Sequence, residues 1–271
     1  MTAPVLAGHG VSVSFGGVRA LVDVDLEVRE GQLVGLIGPN GAGKTTFIDA
    51  VTGFVRFRGR VELDGRDISS LPPHRRARLG LARTWQSIEL FDDLTVRENL
   101  AVASYHPPVL ATVAEVLGRQ APGSSTLDDA LRLLELDDRA DDMPDELSQG
   151  QRKLVGIARA LAAQPRLLLL DEPAAGLDTH ESEELGRKLR NVVDGGTTLL
   201  LVDHDMGLVL GISDWVVVLE FGKVIAQGPP DVVRRDPQVI AAYLGSAAKE
   251  VGREELEEAA ETIEEAAEAS S

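Results

Sequence analysis

Apolar and polar residues alternate in two segments near the start of the chain. Val11, Val13 and Phe15 alternate with serines, and a similar alternation runs through residues 21–28. A period of two predicts strands with one buried face. Gly16-Gly17 lies between the two segments and predicts a turn. We therefore expect an antiparallel β subdomain at the start of the chain.

Short apolar runs without alternation predict strands that are buried on both faces, as in a parallel sheet. They lie at residues 33–37, 167–170 and 197–202. A further strand is predicted at 215–219, followed by a hairpin through Gly222. Helices are predicted from Lys44 onward, at 148–163 and at 180–193. This order of elements predicts an α/β fold with a core of mainly parallel strands.

The region between these runs has a different pattern. Residues 60–63 and Ile68 predict a strand pair around the turn Asp64-Gly65. From residue 72 to about residue 136 the pattern is mostly helical, with breaks at two proline-containing segments. We interpret residues of about 87–160 as a helical subdomain inserted into the core.

The amino-acid composition of the chain excludes several classes of protein. The chain has 271 residues, 27 Lys+Arg against 44 Asp+Glu, a formal charge of -17 and no cysteine. Disulfide scaffolds and zinc–thiolate sites are excluded, and the acidic balance argues against a sequence-independent nucleic-acid binder. The longest uncharged stretch, residues 99–114, contains prolines and falls short of the ~20 apolar residues of a membrane span. No signal peptide is indicated, so we expect a cytoplasmic chain.

One glycine-rich segment matches the pattern G-x-x-x-x-G-K-[ST]. It consists of Gly38, Pro39, Asn40, Gly41, Ala42, Gly43, Lys44 and Thr45. It follows a predicted buried strand and precedes a predicted helix, where backbone N–H groups and the helix N-terminus can hold an anion. Lys44 can reach the β- and γ-phosphates of a nucleotide, Thr45 can ligate Mg²⁺, and Thr46 can hydrogen-bond a phosphate. We call residues 38–45 the phosphate loop.

Acidic and histidine residues follow two other predicted strands. Asp171 and Glu172 end the run at 167–170, and His204 follows the run at 197–202. We expect the first of these strands to lie beside the loop strand, with Asp171 near Mg²⁺ and Glu172 polarising the attacking water. His204 is expected to contact the γ-phosphate. The alternatives are a solvated acidic pair and a structural histidine.

Residues 147–151, Leu-Ser-Gln-Gly-Gln, complete a set of motifs that resembles the ATP-binding subunit of ABC transporters. The resemblance covers residues of about 5–244. Gln149 replaces the first glycine of the family's signature segment, whereas Ser148 and Gly150 remain. The resemblance implies that two subunits meet head to tail, with each ATP between the phosphate loop of one and the signature of the other. Ser148 would then act in trans, and a monomer should hydrolyse ATP poorly.

The same resemblance implies roles for other residues. Phe15 would stack on adenine, although a strand core residue is the alternative. Gln86 would join Mg²⁺ and water to the helical subdomain. Residues 174–178, ending at Asp178, would couple the two ATP sites, and His204 would be the switch histidine.

Several segments are similar to ATPases of branched-chain amino-acid importers. They are residues 36–44, 171–177, 202–214 and 242–245. Relatives that handle urea, short amides or lipids are the alternatives, because the solute does not touch this subunit. The implied partners are membrane permease subunits, a second ATP-binding subunit that is identical or different, and indirectly a solute-binding protein. Nucleic acid is not expected, and the chain would lie on the inner face of the cell membrane.

Two clusters have competing interpretations. The arginines 75, 76, 78 and 83 could suggest nucleic acid, but we favour a solvated helix face. Residues 88–99 would, by resemblance, border the groove that receives a helix of the membrane subunit. Ile88, Leu90 and Phe91 are either exposed in that groove or packed in the core.

The C-terminal segment differs in composition. Residues 249–268 contain nine acids and two bases. Leu256 and Ile263 are too few apolar residues for a coiled-coil seam. We therefore divide the chain into a nucleotide-binding domain, residues 1–246, and an acidic tail, residues 247–271, which is a solvated segment or a docking helix. A soluble ABC-type ATPase acting on DNA or ribosomes is the rival function, but the chain has one phosphate loop and no heptad insertion.

Overall fold

The computed structural model describes residues 3–85, 89–104 and 124–243. An antiparallel sheet is formed by the first two strands together with a later strand pair, in the order β2-β1-β4-β5. These strands are β1 (Pro4–Phe15), β2 (Val18–Arg29), β4 (Arg58–Leu63) and β5 (Arg66–Asp67). The alternation of residues 11–15 and 21–28 therefore predicted the N-terminal β subdomain correctly.

The second sheet has the order β10-β9-β3-β8-β7-β6. Its strands are β3 (Leu33–Ile37), β6 (Leu81–Arg83), β7 (Leu167–Asp171), β8 (Leu199–Val202), β9 (Trp215–Glu220) and β10 (Lys223–Gly228). In the part of the sheet that the structure describes, β10 alone is antiparallel to its neighbour. The prediction of an α/β core with mainly parallel strands is confirmed.

Helices connect and cover these strands. They are α1 (Lys44–Thr52), α2 (Pro73–Arg78), α3 (Val96–Ser104), α4 (Ser124–Leu133), α5 (Gln149–Ala162), α6 (Thr179–Asp194), α7 (Met206–Ile212) and α8 (Pro230–Val233). Short 3₁₀ turns lie at Asp137–Arg139 and Pro144–Glu146, and residues 237–243 are helical. None of the described helices has the length and apolar character needed to cross a membrane.

Both faces of the second sheet are buried. On β7, Leu168 and Leu170 face one apolar cluster, which includes α5 and α6, whereas Leu167 and Leu169 face another, which includes α1 and the first sheet. Successive side chains of a strand point to opposite faces, so a strand with cover on both sides must be apolar throughout. This explains the uninterrupted leucine run at 167–170.

The sequence did not predict one strand of the second sheet. The stretch from residue 72 to 136, which was expected to be mostly helical, contains three of the described helices and also β6, which pairs in parallel with β7 through Leu81 and Leu167. Its three residues are too few to show a period, and the strand exists because the exposed edge of β7 offers partners to it.

The prediction that β7 lies beside the loop strand was wrong. The neighbours of β3 are β8 and β9, so β8 lies between β3 and β7. Val202 of β8 is in register with Leu36 on one side and Asp171 on the other. The carboxyl ends of the three strands therefore still meet at one edge of the sheet.

Candidate active site

The phosphate loop requires glycine at two positions for space as well as for backbone angle. Gly38 and Gly43 have φ values of 152° and 106°. A Cβ atom on Gly38 would lie 2.1 Å from the carbonyl oxygen of Leu219, and one on Gly43 would lie 2.7 Å from that of Ala20. The loop is thus packed closely between neighbouring strands, and α1 begins within its last two residues, at Lys44.

Lys44 is buried inside this loop. Its Nζ donates hydrogen bonds to the carbonyl oxygens of Gly38, at 2.7 Å, and Pro39, at 3.2 Å. Burial lowers the pKa of Lys44 below its usual value. The negative charges of Glu172, Asp171 and Asp203 oppose this shift. Lys44 and the carboxylates at the ends of β7 and β8 therefore share one electrostatic environment.

Asp171 ends β7 with one oxygen paired and one unpaired. Its Oδ2 accepts a hydrogen bond from Nη2 of Arg83 at 2.8 Å. Its Oδ1 is buried and has no hydrogen-bond partner among the described residues. A buried carboxylate oxygen without a donor is costly, and a cation or its water would satisfy it. The donor set fits Mg²⁺, which takes one or two carboxylates and completes its shell with phosphates and water.

Arg83 joins three parts of the site. Its Nη1 lies 2.5 Å from Oδ1 of Asp49 on α1, and its Cζ lies 4.4 Å from the centre of the Trp85 ring. Together with the contact to Asp171, these interactions link α1, β7 and the segment that leads to Gln86. Gln86 itself lies outside the described residues.

The prediction of a solvated arginine face was wrong for Arg83 and for Arg76. The buried guanidinium of Arg76 donates hydrogen bonds to the carbonyl oxygens of residues 50, 51, 69 and 71. Two of these carbonyls belong to the last turn of α1, where a helix lacks internal donors. Arg75 and Arg78 are exposed, as expected. The four arginines therefore do not form one surface.

Glu172 and His204 follow the ends of β7 and β8. Glu172 is half-buried, has φ +49° and donates its N–H to the carbonyl oxygen of Val202 at 2.7 Å. The side chain of His204 is exposed, with Nδ1 3.4 Å from Oδ1 of Asp203. The structure brings both residues to the same sheet edge as Lys44.

Asp203 was not singled out from the sequence, although it is a fully buried acid. Its Oδ2 accepts the N–H of Ala174 at 2.9 Å, and its Oδ1 accepts the N–H groups of His204 at 2.8 Å and Asp205 at 3.0 Å. One carboxylate therefore connects the segments that follow β7 and β8. The signal in the sequence was a second aspartate directly after an apolar strand.

The signature segment lies at the exposed N-terminus of α5. Ser148 is the N-cap, and its hydroxyl accepts the N–H of Gln151 at 3.2 Å while Oε1 of Gln151 accepts the N–H of Ser148 at 2.9 Å. This capping box fixes the first turn and leaves the positive helix end at the surface. Ser148 and Gly150 line a cleft of about 300 Å³ that also includes Glu181. Asp178 is exposed and caps α6 through the N–H of Glu181.

The remaining residues that were predicted from the sequence differ in how far they are exposed. Phe15, at the end of β1, is 52% exposed, so the alternative of a strand core residue is wrong. Thr45 is exposed and Thr46 half-buried at the start of α1. Leu90 is half-buried against the core and Phe91 is largely exposed. Ile88 and the acidic tail lie outside the described residues.

Lys153 is the residue that sequence reasoning missed most clearly. It lies on the buried side of α5, and its Nζ donates hydrogen bonds to the carbonyl oxygens of Pro173, at 3.0 Å, and Ala175. The available signal was a lysine directly before the apolar residues of an amphipathic helix, where a buried charged side chain needs a partner.

A larger cleft opens between the sheet edge and the helices. It has a volume of about 670 Å³ and is lined on one side by Asp171 and Glu172 and on another by Phe54 and Trp85. These two aromatic rings meet edge to face, with centroids 5.1 Å apart. The cleft therefore connects the acidic end of β7 with an exposed aromatic surface.

Comparisons with known proteins agree with this geometry. The ABC transporter profile matches residues 21–175, and the profile of the branched-chain amino acid ATP-binding cassette transporter matches residues 223–249. The chain is 42% identical to the high-affinity branched-chain amino acid transport ATP-binding protein LivG of Salmonella typhimurium, over 91% of this chain and 100% of LivG. It is 40% identical to BraF of Pseudomonas aeruginosa, a protein of the same description, with the same coverage.

Solved structures show the same fold. The ADP conformation of MJ1267, an ATP-binding cassette of an ABC transporter, matches with a TM-score of 0.77 and 31% identity, over 90% of this chain and 100% of that chain. The cbiO1 protein of Clostridium perfringens, part of the ABC transporter complex cbiONQ, matches with a TM-score of 0.74 and 25% identity, over 92% and 98%.

Proposed function

This chain belongs to the ABC transporter family of ATP-binding proteins, and on that basis we propose that it is the ATP-hydrolysing subunit of an importer of branched-chain amino acids. The observation that carries the proposal is the convergence of Lys44, Asp171 and Glu172 at one sheet edge, in a chain 40–42% identical to importer ATPases. The alternatives are import of urea, amides or lipids and a soluble ATPase role.

ATP binding is assigned to the phosphate loop and its surroundings. The N–H groups of the loop and the N-terminus of α1 bind the phosphates, and Lys44 neutralises the charge that develops on them. The exposed ring of Phe15 offers a face for adenine. Thr46 adds a hydroxyl donor for a phosphate oxygen.

Hydrolysis requires a metal ion and an oriented water. Thr45, Asp171 and, by family resemblance, Gln86 would hold Mg²⁺, which supplies charge neutralisation for the β- and γ-phosphates. Glu172 accepts a proton from the attacking water, and His204 hydrogen-bonds the γ-phosphate. Arg83 fixes one oxygen of Asp171, so that the other is directed by a rigid framework.

A second subunit completes the site. Ser148 and Gly150 present the N-terminus of α5 at the surface, where they would face the γ-phosphate bound by a partner subunit. Residues 174–178 with Asp178 would join the two sites across the interface. Closure on ATP then moves the helical subdomain and pulls on membrane permease subunits.

The membrane side of the assembly is assigned to the large cleft. Phe54 and Trp85, which line this cleft, are exposed apolar residues of the kind that a docking helix covers. Phe91 is also exposed but does not line the cleft. The chain would lie on the inner face of the membrane, bound to permeases, and would receive solute only indirectly through a solute-binding protein.

A single substitution tests the enzymatic role. Glu172→Gln should retain ATP affinity within about twofold and lose at least about 100-fold in kcat, because the base is removed while the phosphate contacts remain. It should also form an ATP-dependent dimer in size-exclusion chromatography. Glu183→Gln, an exposed glutamate on α6, is the matched control and should behave as the unmodified chain. Normal turnover by Glu172→Gln would remove Glu172 from the mechanism.

The transport role needs a separate test. Recovery of two hydrophobic permeases in a pull-down from native membranes would support the importer assignment. Recovery of ribosomes or DNA-repair proteins without a permease would contradict it and leave the ATPase chemistry intact.

A further inference from the structure

Two side chains on one face of α5 lie beside the segment that follows Glu172. Gln149 and Lys153 are four residues apart, a spacing that places side chains on the same face of a helix. Lys153 hydrogen-bonds residues 173 and 175, and Nε2 of Gln149 lies near Gly176; residues 173–176 form the first part of the loop between β7 and α6. This helix face carries the signature segment at its exposed end.

Lys153 provides the stronger of the two contacts. Its ammonium is buried and donates hydrogen bonds to two carbonyl oxygens of the loop, those of Pro173 and Ala175. Burial lowers the pKa of Lys153, and the charges of Asp203 and Glu181 oppose that effect. A buried cation with main-chain partners holds those partners in place, because leaving them uncovers an unpaired charge.

Gln149 covers the next part of the loop. Gly176 has φ +76°, and its missing Cβ would lie 3.5 Å from Nε2 of Gln149. Gln149 is also the residue at which this chain departs from the glycine of the family's signature segment. The substituted side chain therefore lies against the loop that follows Glu172.

We propose that Gln149 and Lys153 are positioning residues that clamp residues 173–176 to the signature helix, so that the two surfaces presented to a partner subunit move as one unit. We call this arrangement the loop clamp. The inference rests on the proposed function, since it assumes that both surfaces meet a second ATP-binding subunit. The loop clamp would connect, within one chain, the signature segment, which faces the ATP of the partner, and residues 173–176, which follow Glu172.

Hydrogen exchange of the full-length chain tests the clamp without any turnover. The N–H groups of Ala174, Ala175 and Leu177 are all hydrogen-bonded in the structure. Lys153→Met should raise their exchange rates by about tenfold or more, whereas the amides of β3 should stay unchanged. Lys153→Arg keeps donors at the same position and should restore most of the protection.

Kinetics supply the second readout. Lys153→Met should lower kcat of ATP hydrolysis by about tenfold or more and leave the ATP KM within about twofold, because misplacing groups near the reacting atoms mainly affects the chemical step. Gln149→Gly should cause a smaller fall in kcat, and its exposed position ensures that the fold is retained.

Lys188→Met is the matched control. Lys188 is also a buried lysine, but it pairs with Glu184 and Glu135 on and beside α6. Loss of stability alone would affect both lysine variants in the same way. Unchanged loop exchange in Lys153→Met, or equal kinetic defects in the two variants, would overturn the clamp. Normal turnover by Glu172→Gln would instead count against the proposed function, and it would leave the conclusion from hydrogen exchange unchanged.

Discussion

Replacing Arg83 by methionine should strongly destabilise the fold. The side chains of Arg83 and Asp171 are 7% and 6% exposed, and they form an ion pair at 2.8 Å. Removing one partner of a buried pair leaves an uncompensated charge and typically costs about 3–5 kcal/mol. Asp49, which also loses its partner, is 27% exposed and can be hydrated. The free energy of unfolding should therefore fall by about 3–5 kcal/mol, a large part of the ~5–15 kcal/mol usual for a protein.

A double variant separates the charge from the packing. Asp171→Asn removes the orphaned carboxylate, so Arg83→Met/Asp171→Asn should be more stable than Arg83→Met alone by about 1–3 kcal/mol. Urea unfolding followed by circular dichroism at neutral pH measures both differences. Arg75→Met, at an exposed site on α2, should change the free energy of unfolding by less than about 0.5 kcal/mol.

The same variants test the metal site without measuring activity. Mg²⁺ with ADP should stabilise Arg83→Met, which keeps the Asp171 carboxylate, more than it stabilises the double variant. A loss below about 1 kcal/mol in Arg83→Met, or a double variant no more stable than the single one, would refute the reasoning about this ion pair.

Three further substitutions follow from particular contacts. Arg76→Met removes four hydrogen bonds to main-chain carbonyls, so scanning calorimetry should show a loss of about 3 kcal/mol or more and a melting point lower by about 6–12 °C; a shift below about 2 °C would contradict it. Burial raises the pKa of Tyr243 from 10.0 to about 12, so its contribution to stability is complete below pH 10 and lost as the pH rises to about 12. Tyr243→Phe should make the free energy of unfolding less dependent on pH in that window, and an unchanged slope in titrations of both proteins would exclude the effect. Gly43→Ala should weaken binding of a fluorescent ATP analogue by at least about tenfold because of strain and crowding, whereas Gly211→Ala, with nothing within 4 Å, should bind normally.

The phosphate loop and the buried strands could be predicted from the sequence because each depends on residues that are close together in the chain. The phosphate loop combines residue types at fixed spacing with a strand before it and a helix after it, and each of these signals is local. The uninterrupted apolar runs predicted β3, β7 and β8 because burial on both faces leaves no polar position.

Features that depend on distant residues were not readable in this way. Strand order needs the pairing of residues far apart in the chain, so the insertion of β8 between β3 and β7 had no local signal. Arg83 looked like one member of a basic cluster, and only the folded chain brings it to Asp49 and Asp171. Lys153 is similar, because its partners are main-chain carbonyls and any sequence could supply them.

The buried carboxylate of Asp203 affects how the segments after β7 and β8 move. Loops that are free of one another fluctuate independently within nanoseconds to microseconds. Here the carboxylate of Asp203 accepts hydrogen bonds from both segments: from the N–H of Ala174, after β7, and from the N–H of His204, after β8. Neither segment can move away without breaking a hydrogen bond to a buried carboxylate, which is stronger than a bond between neutral groups. We therefore expect the two segments to move together rather than independently.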